Sequence, residues 1–141
     1  MSSLSRKSRF ISVEVTLKTN HGCDAFVAWF EAQGHFVHRL ASKTHRWHVY
    51  FDPTPCSDAN LTILRLCETI SHAPPHVMKE WAEAEVREFF AGYEVGDARP
   101  FYVEHFALEA LTAVADLKAG IGIAFYPAEL TDERGISARI L

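Results

Sequence analysis

The stretch Phe106-Ala-Leu-Glu-Ala-Leu-Thr-Ala-Val-Ala-Asp-Leu-Lys-Ala-Gly-Ile-Gly-Ile-Ala-Phe-Tyr-Pro127 decides the fold. Leu108, Leu111 and Ala115 recur at helical spacing, and Val114 and Leu117 widen the stripe. Gly120 is expected to stop this helix. Beyond it Ile121, Ile123 and Phe125 hold every second place up to Pro127, which cannot donate to a strand ladder. The pattern is an amphipathic helix running straight into a half-buried strand. Such a strand needs partners for its apolar face, and the rest of the chain is read as supplying them.

Upstream, Ile11, Val13, Val15 and Leu17 alternate with Ser12, Glu14, Thr16 and Lys18, which predicts a strand over residues 10–18 with one buried face. A helix is expected over 24–33, with Asp24 as N-cap, Phe26, Trp29, Phe30 and Gln33 on one side, and Gly34 as the left-handed residue after its end. Residues 35–41 read as a weaker strand, with Phe36, His38 and Leu40 on one face. Residues 45–51 read as a stronger one, with Trp47, Val49 and Phe51 facing one way and Arg46, His48 and Tyr50 the other. The two form a hairpin through Ser42-Lys-Thr44.

Asp52-Pro-Thr-Pro55 breaks the pattern. Ser57 or Asp58 then caps a second helix to about Ser71, with Leu61, Leu64, Cys67 and Ile70 as its stripe, and His72-Ala-Pro-Pro75 ends it. Residues 76–93 admit two readings. One is a short helix around Trp81 followed by a strand over 87–93, with Gly92 at a bulge or close contact. The other is helix throughout, with Ala82, Val86, Phe89 and Tyr93 on one stripe. The aromatic pair and Gly92 favour the first. Gly96-Asp-Ala-Arg-Pro100 reads as a turn and Phe101–Val103 as a brief strand. Residues 129–141 read as a loosely docked tail, with Ile136, Ile140 and Leu141 available for an edge strand. Residues 1–8 read as a disordered basic tail, leaving one domain over 9–141.

The resulting order is β-α-β-β-α-(α)-β-α-β. It predicts an α+β two-layer sandwich, a mainly antiparallel sheet with helices on one face, close to a ferredoxin-like arrangement with an extra helix–strand unit.

The order Arg46-Trp-His-Val-Tyr50, then a helix, then Phe90-Ala-Gly-Tyr-Glu-Val-Gly96, Leu108-Glu-Ala-Leu111 and Ile121-Gly-Ile-Ala-Phe-Tyr-Pro127 resembles small bacterial α+β domains of unknown function. The likeness covers about residues 10–127. It implies a compact α+β domain and brings no catalytic residues.

Composition narrows the function classes. The chain has 141 residues, 48% of them hydrophobic and 12% aromatic, which is the range of an ordered globular domain rather than a disordered one. Its formal charge is −4, and three of its 14 basic residues are Arg6, Lys7 and Arg9; setting them aside leaves 11 basic against 18 acidic residues. That balance argues against a nucleic-acid surface or an anionic membrane. No apolar run approaches the ~20 residues that span a bilayer, and no signal peptide follows the basic start. Cys23, Cys56 and Cys67 show no paired spacing, which fits free thiols in a reducing, cytoplasmic setting.

No sequence motif names a reaction. The eight histidines include His35/His38 and His45/His48, but on strands that spacing sends partners to opposite faces. A metal set drawn from His21, His72, His76 and His105 requires the fold to assemble it. Cys23, ahead of a helix start, is a candidate reactive thiol; Cys67 lies on an apolar stripe. Gly120-Ile-Gly122 lacks the third glycine and the following helix of a dinucleotide loop. Glu80, Glu83, Glu85 and Glu88 read as a solvated face. No catalytic residue, metal site or cofactor is therefore assigned.

The feature with functional content is the sheet face opposite the helices. If Ile11, Val13, Val15, Leu17, Trp47, Val49, Phe51, Ile121, Ile123 and Phe125 go beneath the helices, Glu14, Thr16, Arg46, His48, Tyr50 and Tyr126 stand on the other side. That mixture suits a protein partner, a second copy of the chain or a small polar ligand. The expectation is a non-enzymatic interaction module of immunity type, the alternative a small enzyme or metal protein using histidines gathered by the fold.

Overall fold

Alternation in the first strand sets the architecture. Val13, Val15 and Leu17 have no exposed surface, while Glu14 and Lys18 on the opposite face stay half-buried. The computed structural model describes residues 7–96 and 102–127. In chain order its elements are β1 (Arg9–Thr19), α1 (Asp24–Ala32), β2 (Phe36–Ala41), β3 (Trp47–Asp52), α2 (Ala59–Ser71), α3 (Pro75–Glu83), β4 (Val86–Val95), α4 (Leu108–Asp116) and β5 (Gly120–Pro127). The expectations placed on residues 1–6, 97–101 and 128–141 lie outside the described residues.

The molecule is a mixed α+β structure around one five-stranded sheet of order β2-β3-β1-β4-β5. β1 sits in the middle, antiparallel to β3 and to β4; β2 pairs antiparallel with β3, and β5 alone is added in parallel, beside β4. The parallel addition follows from chemistry: a hairpin cannot join parallel strands, and α4 makes the crossover. Residues 86–95 are strand, so the all-helix alternative for 76–93 does not hold. Ala84 already has extended backbone (φ −64°, ψ 139°), which ends α3 before β4 begins.

The core lies between one sheet face and the helices. Val15, Leu17, Val49, Phe51 and Phe89 meet Phe26 and Phe30 of α1, Ile63, Leu66 and Ile70 of α2, Val77 and Trp81 of α3, and Ala110 and Val114 of α4. Burying each large apolar side chain contributes ~1.5–3 kcal/mol, so this face dominates stability. Phe30 is its hub, 4.4 Å from Phe51 and 6.5 Å from Trp81 between ring centroids.

Several local expectations change. β1 carries a register irregularity between Phe10 and Ser12, which pair with the adjacent residues Tyr93 and Gly92. Ile11 is the extra residue, so it leaves the core side and is 37% exposed, while Phe10 packs edge-on against Tyr93. Ile123 and Phe125 do share a face with Ala91 and Tyr93, but β5 is the last strand in the sheet order and Phe125 stays 65% exposed. The buried stripe of α2 is Ala59, Thr62, Ile63, Leu66, Cys67 and Ile70; Leu61 and Leu64 are only half-buried. Thr62 is inside because its hydroxyl donates to Asp58 O (2.7 Å) and accepts the Cys56 N–H (2.9 Å). The buried side of α4 is Ala110, Val114 and Leu117, with Leu108 74% exposed. Tyr102 and Val103 form no strand. Asn60 holds the segment behind them, donating to His105 O (2.8 Å) and accepting the Ala107 N–H (2.7 Å).

The helix ends are informative. Asp58 caps α2 as expected, accepting the Leu61 N–H at 2.8 Å. Asp24 does not cap α1. It is the first helical residue, and its carboxylate pairs with Arg39. The free N–H groups of Ala25 and Phe26 go instead to Glu80 of α3, at 3.5 and 2.9 Å. Gly34 (φ +89°) closes α1 with the bonds His35 N–H to Phe30 O and Gly34 N–H to Glu31 O. α4 ends in the same motif, but Lys118 rather than Gly120 takes the left-handed position (φ +58°), with Ala119 N–H to Val114 O and Lys118 N–H to Ala115 O. Trp81 donates from its indole to Leu117 O (2.9 Å), and Arg87 donates to Lys118 O (2.9 Å) and to the carbonyls of Trp81, Ala82 and Ala84 that end α3.

Two stability outcomes follow. Lys118→Gly relieves a left-handed lysine and is expected to stabilise by about 1 kcal/mol in denaturant titration; a loss of stability contradicts the strain. Glu80→Ala is expected to cost about 1–2 kcal/mol, clearly more than Asp24→Ala. The reverse ranking would restore Asp24 as the cap.

Candidate functional site

Directly opposed residues of paired strands share a face, so register assigns the side away from the described helices row by row. His38, Tyr50, Thr16 and Glu88 are cross-strand neighbours in one row. In the next, Phe36 opposes Asp52, and Glu14 opposes Phe90, which opposes Gly122. A third row has Leu40, His48 and Lys18. Ser12, Gly92 and Ala124 form the low end.

This face carries a groove of about 500 Å³, lined by small residues such as Ser12, Gly92 and Ala124 together with charged side chains and the rings of Tyr50, Phe90 and Tyr126. Its lining comes entirely from strands: Glu14, Thr16 and Lys18 of β1, His48, Tyr50 and Asp52 of β3, Glu88 and Phe90 of β4, and Tyr126 of β5 are among it. Gly122 makes room for the Phe90 ring, since a Cβ there would fall 2.4 Å from it. Gly92 likewise admits the Tyr126 ring, whose Cε2 would be 3.4 Å from an added Cβ. The close contact expected at Gly92 is this one.

Of the residues expected on this face, Glu14, Thr16, His48, Tyr50 and Tyr126 line the groove. Arg46 does not line it. It precedes β3, its N–H donates to Asn20 Oδ1 (3.0 Å), and its guanidinium lies 5.7 Å from the Trp47 ring centroid. The expected strand began two residues too early. The register also brings in residues that sequence reasoning left unplaced. His38 stacks on Tyr50 (4.6 Å, 18°) with Phe36 edge-on to His38 (4.6 Å) and His48 edge-on to Tyr50 (5.6 Å). Phe36 is 68% exposed. Pairing the two strands symmetrically about the 42–46 turn would have placed Phe36, His38 and Leu40 here.

Among the described residues the charged groups that line the groove are Glu14, Asp52, Glu88 and Lys18, with the Arg9–Glu94 ion pair (3.4 Å) beside Tyr126 on the same face, and Thr16 Oγ1 donates to Glu14 Oε1 at 3.4 Å. Burial, with Lys18 and His45 nearby, lowers the pKa of His48, so its ring is neutral near pH 7.

Other candidate chemistry disperses. Among the described residues no three His, Cys, Asp or Glu side chains are placed to hold a metal ion. His21 pairs with Glu85 (3.5 Å), His72 Nδ1 meets Glu68 O (2.7 Å), and His105 is held through its carbonyl. Cys23 does stand at the start of α1, with Arg39 Nη1 3.8 Å from its sulfur. Burial outweighs both influences and raises its pKa, the opposite of an activated thiol. Burial pushes the Cys67 thiol up to about 12. Of the four expected solvated glutamates, Glu80 caps α1, Glu85 accepts the Asn20 N–H (2.9 Å) and Glu88 faces the groove. No helix among the described residues is long and apolar enough to cross a membrane.

On the helix side, His35 stacks on Phe51 (5.3 Å, 29°) with Nε2 buried and without a partner among the described residues, and burial lowers its pKa below the ordinary 6.5. Below about pH 6.5 the unfolded chain therefore binds more protons than the folded one, and stability falls with falling pH; His48 acts in the same sense. His35→Leu is expected to flatten the fall in melting temperature between about pH 7 and pH 5. A variant as acid-sensitive as the parent contradicts this.

Compared with known proteins, the chain matches no protein-family model, no curated protein and no solved structure.

Proposed function

We propose that this protein is a non-enzymatic binding module that docks a protein partner on the sheet face away from its described helices. The observation that carries the reading is the groove itself. It is a strand-lined concavity with three large rings, Tyr50, Phe90 and Tyr126, beside mixed charge, and the exposed Phe36 and Leu40 extend its apolar rim along β2. Aromatic anchors with a polar surround are the composition of protein interfaces, whereas catalysis needs a converging acid, base or nucleophile. An immunity-type inhibitor, which works by covering another protein, is one concrete form of this role. The three thiols, all free, fit a reducing cytoplasmic setting.

The fold supports the same reading. β1-α1-β2-β3-(α2,α3)-β4 with order β2-β3-β1-β4 matches the ferredoxin-like plan, and α4-β5 is the extra unit, widening the sheet by one strand.

The test compares the parent, Tyr50→Ala/Tyr126→Ala and the helix-side control Phe125→Ala as baits in quantitative affinity purification from the native host. Partners retained by the parent and by Phe125→Ala are expected to drop at least tenfold with the double variant. Equal retention by all three contradicts docking on this face.

A further inference from the structure

We infer that β2 is a self-association edge: two copies of the chain pair antiparallel along it and join their sheets side by side. This goes beyond the docking role above, which uses a face of the sheet rather than its margin. β2 ends the strand order, and among the described residues β3 is its only strand neighbour. The outer side of an edge strand presents backbone N–H and C=O groups that a further strand can pair. Proline, lysine, a bulge or very short length ordinarily guards such an edge. Phe36-Val-His-Arg-Leu-Ala41 contains no proline or lysine, and its six residues pair with β3 without a register break. Phe36 and Leu40 are also 68% and 52% exposed, although both stand in the sheet. They flank His38 on one face of the strand.

Symmetry selects the register. In an antiparallel pair, opposed residues either both turn their backbone groups to the seam or both turn them away. A two-fold axis between identical strands therefore passes through a residue position. An axis at Arg39 sets two guanidinium groups directly opposite each other and leaves Phe36 against Ser42, beyond the end of β2. An axis at Val37 leaves Leu40 against Gly34, which lies outside the strand in the left-handed conformation (φ +89°). An axis at His38 sets Phe36 of each copy against Leu40 of the other, so both exposed apolar side chains gain a cross-strand partner about 5 Å away. On the helix side Val37 then opposes Arg39, and each Arg39 is already paired with Asp24 of its own chain. The strand is thus complementary to itself, as an isologous interface requires. Six residues of strand make a small contact, so the dimer is reversible and concentration-dependent.

The test is sedimentation equilibrium of the full chain up to about 1 mM, with amide hydrogen exchange as a second readout. A reversible dimer is expected, with slower exchange of β2 amides as concentration rises. Phe36→Lys and Leu40→Glu are each expected to weaken it at least tenfold. Both positions are exposed, and an unchanged melting temperature at low concentration shows that the variants fold. Phe36→Lys/Leu40→Glu in one chain sets the new ammonium against the new carboxylate at both ends of the seam. It is expected to recover at least tenfold over either single variant. That recovery is specific to the axis at His38, since no other register opposes the two positions. A chain that stays monomeric at the highest concentration overturns the inference. So does a dimer that either single variant leaves intact or that the double variant fails to recover. A dimer lost with Tyr50→Ala/Tyr126→Ala but kept by Phe36→Lys puts self-association on the sheet face and overturns it too.

Discussion

The molecule depends on β1 being the central strand of a sheet whose described helices pack on one side. A central strand has neighbours on both edges, so its backbone is satisfied whatever its side chains are. Its side chains are then free to divide by period: Val13, Val15 and Leu17 anchor the helices, and Glu14, Thr16 and Lys18 line the other face. All four described helices contribute to the first side, and among the described residues the lining of the groove on the second comes from strands. The groove is therefore a by-product of topology. Every connection that carries a helix crosses on the same side.

The helical layer is held in place by polar contacts that bridge elements. α3 is the connector. Glu80 closes the N-terminus of α1, the Trp81 indole binds the carbonyl at the end of α4, and Arg87, just inside β4, gathers the last carbonyls of α3 and that of Lys118. Each of these bonds satisfies a backbone group that a helix end would otherwise leave open. They convert an apolar layer, which is non-directional, into one arrangement of helices.

Much of this was legible in the residues. Period two in residues 10–18 and the Gly34 stop announced β1 and the end of α1. Asp58 announced α2, and the paired phenylalanines with Gly92 announced β4. What was illegible depended on partners distant in sequence. Asp24 looks like a cap until Glu80 arrives from α3. Ile11 looks buried until the bulge against Gly92 and Tyr93 turns it outward. Leu108 and Leu111 look like the stripe of α4, yet that helix packs through the smaller Ala110 and Val114. Gly120 looks like the helix stop, although Lys118 takes the left-handed turn. The uncovered face was half legible: alternation put Glu14, His48, Tyr50 and Tyr126 together, but only register could add Phe36, His38, Asp52 and Glu88 or remove Arg46.

The central claim is that strand register divides the side chains of the sheet, with Tyr50, Phe90 and Tyr126 reachable from solvent on one side and Val15, Val49 and Phe89 beneath the helices on the other. Paramagnetic broadening by a soluble, uncharged gadolinium chelate reads this residue by residue. The account predicts strong broadening of side-chain signals from Tyr50, Phe90 and Tyr126, and little for Val15, Val49 and Phe89 on the facing side of the same strands. Equal protection of both sets in the monomer would contradict it.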